Sequence, residues 1–196
     1  TSRPAAGASV DVRVALPPMD CAGGDDGIPR VTLDLVVDGQ AVETTSEVAD
    51  ALDVLPGIHA RECLGERLAA VAEVRVAGFT AAPPGETGVL RLSVTPTGEG
   101  EARLSAIEST PLLTYDDAGA PVHDLDVDLT AGITEVDIPL RPQRCDPHVV
   151  QEDKRGTVFT LGVEVDGASG QVDIAAPAEI KSRMLSWVAA WCGFGS

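Results

Sequence analysis

Four cysteines occupy two stretches of similar length and pattern, and this constrains the chain more than any other feature. In the first stretch Val10-Asp11-Val12-Arg13-Val14 leads to Cys21. Leu33-Asp34-Leu35-Val36-Val37-Asp38-Gly39 follows, and Cys63-Leu64-Gly65 closes the stretch. In the second, Val136-Asp137-Ile138-Pro139-Leu140 leads to Cys145. Leu161-Gly162-Val163-Glu164-Val165-Asp166-Gly167 follows, and Cys192-Gly193 closes it. The shared order reads as a duplicated unit: strand, Cys-bearing loop, strand, Asp-Gly turn, short strand, helix, cysteine. Of the three connectivities open to four cysteines, duplication selects Cys21–Cys63 and Cys145–Cys192. No C-x-x-C pair occurs, so neither a zinc ribbon nor a thioredoxin-type site is supported.

Bridges closing loops of this length each contribute roughly 4 kcal/mol in the chain-entropy picture. They persist only in oxidising compartments, so the chain is expected outside the cytoplasm, secreted or held at the cell surface. The start, Thr1-Ser2-Arg3-Pro4-Ala5-Ala6-Gly7, is small and polar, like a tether following a removed signal or an upstream lipid anchor. No stretch approaches the roughly 20 apolar residues of a membrane span. Arg supplies nearly all the basic residues, Lys is confined to Lys154 and Lys181, and Asn is absent. This composition points to a high-GC bacterium.

Period-two alternation dominates the chain. Val10, Val12, Val14 and Leu16 share one face of an expected strand at 8–16, and a second strand is expected at 31–37. A short helix is expected at 46–55, on the face of Val48, Leu52 and Leu55, with Pro56-Gly57 as its stop. From about 70 to 143 short strands recur between polar turns. Leu90, Leu92 and Val94 line one of these strands, Leu125, Val127 and Leu129 a second, and Val136, Ile138 and Leu140 a third. Strands at 157–166 and 171–175 follow, then a helix from Pro177 whose apolar face is Ile180, Met184, Trp187, Val188 and Trp191. The fold class expected is mainly β. Residues 67–196 would form an immunoglobulin-like β-sandwich with a C-terminal helix. Residues 1–66 would form a smaller β unit repeating its second half. This pattern resembles that of immunoglobulin-like proteins of bacterial envelopes.

The formal net charge of -17 excludes nucleic acid and disfavours anionic membrane surfaces. Aromatics make up only 3% of the chain, too few to build a stacking platform or a sugar cleft. G-x-S-x-G, H-E-x-x-H, P-loop and G-x-G-x-x-G motifs are all missing. The expectation is therefore a non-enzymatic protein that binds a protein or cell-wall component. A hydrolase using a carboxylate pair is the weaker enzymatic alternative.

No cofactor is required, although a divalent cation would suit one segment. Helical geometry after Pro147 would put His148 and Glu152 one turn apart, with Asp146 or Asp153 completing a ligand set. A plainer role for Asp146 is to cap a turn. His59 and Glu62 beside Cys63 form a second, weaker candidate. Asp124, Asp126 and Asp128, next to His123, would make an acidic strand face suited to a basic partner. Their i, i+2 spacing of roughly 7 Å is too wide to chelate one ion. Trp187 and Trp191, one helical turn apart, would anchor the last helix to a sheet rather than line a pocket.

Overall fold

A computed structural model describes residues 15–23, 29–37, 39–115, 120–152 and 155–194. The chain divides into two compact units, Thr1–Leu52 and Asp53–Ser196. The expected boundary at residue 66 falls inside a helix, α1 (Leu55–Val71), that belongs to the larger unit.

The smaller unit contains a hairpin of β1 (Arg30–Val37) and β2 (Gln40–Glu47). Val37 pairs with Gln40 across Asp38-Gly39, and Gly39 adopts the left-handed conformation such two-residue turns demand. Most of the expected strand at 8–16 lies outside the described residues.

The larger unit is two four-stranded antiparallel sheets. Its strands are β3 (Ala72–Thr80), β4 (Gly88–Pro96), β5 (Ala102–Glu108), β6 (Leu113–Thr114), β7 (Val122–Asp128), β8 (Thr134–Pro142), β9 (Val158–Val165) and β10 (Ala168–Ala175). One sheet has the order β3-β4-β8-β6 and the other β10-β9-β5-β7. Alternation puts Leu90, Leu92 and Val94 of β4 and Phe159, Leu161, Val163 and Val165 of β9 into a shared core, all essentially inaccessible. Leu104 and Ile107 are three apart, a spacing that would place them on opposite faces of a regular strand. A bulge between Leu104 and Ala106 shifts the register and brings both inside. Asp166 and Gly167 both have positive φ, the type I′ geometry that closes β9 onto β10.

Two further helices complete the unit, α2 (Pro147–Glu152) and α3 (Ala178–Trp191). In α3, Ile180, Met184, Trp187 and Val188 form the buried stripe expected from their spacing. The Trp187 ring packs 5.1 Å from Phe79, and its Nε1–H donates to the Ala82 carbonyl. Pro177 sits at the N-cap. At the other end Gly193 turns left-handed, and the Gly193 and Phe194 amides cap the last carbonyls. Cys192 is bonded to Cys145. Cys21 and Cys63 are also disulfide-bonded, so none of the four cysteines is free.

The helix expected at 46–55 is replaced by the end of β2, an irregular segment and then α1. Pro56 lies in the first turn of α1, where its missing N–H would have had no partner, so it starts the helix rather than stopping it. Leu64, Leu68 and Val71 seat α1 in the core. The helix passes into β3 with no intervening loop, and the turn after β4 closes its end. Thr97 donates from its hydroxyl to the Ala69 carbonyl and from its amide to the Val71 carbonyl, and the Gly98 amide also donates to Val71. A Cβ on Gly98 would stand 2.3 Å from the Ala70 carbonyl oxygen. Gly98→Ala is therefore expected to cost roughly 1–3 kcal/mol. Gly57→Ala, in open space on the same helix, should gain about 0.5–1 kcal/mol. Urea unfolding of the two variants checks the opposite signs.

Candidate functional site

Three surfaces carry the chemistry that could serve a function: the hairpin, a cleft beside α1, and the acidic strand β7.

The hairpin buries little. Leu35, Val36, Val37 and Val42 are 41%, 76%, 51% and 42% exposed, and every residue of β2 is exposed. Register places Val31, Leu33, Leu35, Val37 and Val42 on one face, since Leu35 stands opposite Val42. The other face carries Arg30 opposite Glu47, joined by an ion pair, and Thr32 opposite Thr45, joined through their hydroxyls. Between these pairs and the turn, Asp34 stands directly opposite Glu43. Neither strand pairs with a third among the described residues.

The cleft lies between the first half of α1 and β10. It encloses about 700 Å³ and is lined by Asp53, Ile58, Arg61, Glu62, Arg155 and Asp173, among others. Asp173 organises its polar wall. One carboxylate oxygen accepts from Arg61 at 3.0 Å and from Arg155 at 2.8 Å, and the other accepts from the Thr160 hydroxyl at 2.7 Å. Arg61 also reaches the Gln171 side-chain oxygen, and the Gln171 amide donates to Glu108. Partial burial pushes the Asp173 pKa up. The hydrogen bonds from Thr160 and Arg155 and the charges of Arg61 and Arg155 outweigh burial and hold it below the usual carboxylate range. A carboxylate so saturated with donors stays ionised. It ties α1 to the sheet rather than offering a proton.

On β7, Asp124, Asp126 and Asp128 are exposed on one face of an edge strand, while His123 lies on the opposite, half-buried side and stacks against Tyr115. The row is partly compensated. Arg103 pairs with Asp126, and the backbone and hydroxyl of Thr130 bond to Asp128. Those two bonds, with Arg103 adding a smaller contribution, hold Asp128 below its ordinary pKa.

Asp146 accepts the His148 amide at 3.0 Å and its carbonyl accepts the Val150 amide, so it caps the start of α2. His148 is exposed, and Asp153 lies outside the described residues. Among the described residues no group of three or more His, Cys, Asp or Glu is placed to hold a metal ion. His59 lies one turn from Cys63 on α1, its Nε2 3.7 Å from the sulfur. The Trp187 and Trp191 rings are 5.5 Å apart edge to face, with Trp187 buried. Among the described residues no helix is long and apolar enough to cross a membrane.

Sequence inspection missed both the Asp173 cluster and the hairpin surface. Asp173 draws its donors from α1, from β9 and from Arg155, and no local pattern announces that convergence. The Asp34/Glu43 opposition was accessible in principle, because an Asp-Gly turn at 38–39 fixes the register. No protein-family model matches the chain, and no curated protein sequence matches it.

Replacing Asp173 by Asn should cost about 1 kcal/mol at neutral pH, since the arginines it releases are solvent-accessible. The folded pKa is depressed, so this stability is present above the unfolded carboxylate value and is lost as pH falls through the folded one. The gap between wild type and variant in urea unfolding should narrow as the pH falls below the ordinary carboxylate range.

Proposed function

We propose that the chain is a non-enzymatic binding module of a bacterial cell envelope, engaging a protein partner through its small N-terminal unit. The carrying observation is the two-stranded hairpin with its apolar residues in solvent. An isolated hairpin is marginal in water, and gains stability from a third strand or a packed surface. The larger unit has its own core and disulfide and would serve as the rigid support.

Two architectural readings accompany this. The strand orders β3-β4-β8-β6 and β10-β9-β5-β7, with the chain crossing between sheets at each step from β4 to β9, suit an immunoglobulin-like sandwich. A hairpin closed by two residues and followed by a helix occurs at β1-β2-α1 and again at β9-β10-α3, with Cys63 inside the first helix and Cys192 at the C-cap of the second, which supports descent from one duplicated unit. Complete oxidation of the cysteines is consistent with an extracytoplasmic setting.

A photo-crosslinking residue placed at Thr45, with the full chain incubated in envelope extract from the source cell, tests the reading. The expected result is one discrete adduct that disappears when Leu35→Ser and Val37→Ser are introduced together. No adduct, or an adduct indifferent to those changes, would rule out docking through the hairpin.

A further inference from the structure

The hairpin's exposed face does not by itself say what covers it, but its charges do. Wherever two charged side chains stand directly opposite across paired strands elsewhere among the described residues, their signs are opposite. Arg30 faces Glu47, Arg91 faces Asp137, and Arg103 faces Asp128 on one side and Glu164 on the other. Asp34 and Glu43 break this rule. Directly opposed like charges destabilise a strand pair, and neither residue has a cationic partner among the described residues.

The backbone points the same way. Val37–Gln40 closes the turn, and the Val48 amide donates to the Pro29 carbonyl at the far end. Alternation between these ends directs the amides of Thr32, Asp34 and Val36 away from β2, toward the edge of β1 that no other described strand occupies. A strand added there would send alternate side chains to opposite faces. On one face they would meet Leu33, Leu35 and Val37. On the other they would meet Asp34, with Glu43 behind it.

Building on the docking role proposed above, we propose that this edge of β1 takes up an extended segment of a partner protein in which apolar residues alternate with Lys or Arg. The apolar residues extend the face that Leu35 and Val42 leave in water. The basic residues supply the cation that the Asp34/Glu43 pair lacks among the described residues. Main-chain hydrogen bonds to the β1 edge give affinity, and the alternation gives selectivity. A second copy of this chain is a poorer occupant, because its own hairpin would bring a second uncompensated acidic pair.

The probe is a synthetic peptide, Val-Lys-Val-Lys-Val-Lys-Val-Lys, added to the isotope-labelled full chain. The control is Val-Val-Val-Val-Lys-Lys-Lys-Lys, which keeps the composition and charge but not the alternation. Saturable slowing of hydrogen exchange at the Thr32, Asp34 and Val36 amides is expected with the alternating peptide alone. The double variant D34N/E43Q, which changes only exposed side chains, should bind it about tenfold more weakly. Equal binding of the block peptide, protection at other amides, undiminished binding by D34N/E43Q, or a doubling of mass in solution would each overturn the proposal. If the peptide fails while the Thr45 adduct forms, docking at the hairpin stands and this partner chemistry falls. If both fail, the docking role falls as well.

Discussion

The larger unit depends on how α1 ends. A helix terminus leaves its last carbonyls without partners, and in a buried setting each must be satisfied or the arrangement fails. Here α1 runs directly into β3, and Thr97 and Gly98 from the turn after β4 supply the missing donors. The same turn therefore joins two strands and closes a helix. Leu64, Leu68 and Val71 can then sit in the core, and Arg61 can reach across to Asp173. Gly170 on β10 leaves room for Leu64, since a Cβ there would stand 2.7 Å from the Leu64 methyl. Helix, turn and edge strand specify one another.

Much of the β architecture could be read from alternation alone. Leu90/Leu92/Val94 and Phe159/Leu161/Val163/Val165 are buried because period-two spacing allows only one inner face. The stripe of α3 and the Asp-Gly turns were legible for similar local reasons. α1 was not. Its apolar residues are spread around the helix rather than gathered on one face, and Pro56-Gly57 reads equally well as a stop or a start until the flanking strand is known. The bulge in β5 was equally hidden, because Leu104 and Ile107 obey neither helix nor strand period. The long-range polar cluster on Asp173 depends on tertiary assembly, which no window of sequence contains.

The candidate chemistry separated along the same line. Asp146 proved to be a cap, a role set by its immediate neighbours. The β7 carboxylates kept their common face, but Arg103 and Thr130 temper them. The hairpin gained significance only when register placed Asp34 against Glu43 and showed Leu35 and Val42 sharing an exposed face. In a chain this acidic, one more carboxylate is unremarkable. A mismatched pair among otherwise matched ones is informative.

Both tryptophans lie in α3, within the unit 53–196. Their intrinsic fluorescence thus reports on the seating of one helix in the larger unit. Trp187, enclosed by Phe79 and close to Gly88, will change its emission when α3 leaves the sheets. A single clean emission transition would therefore describe the unseating of α3, whatever the order in which other elements come apart.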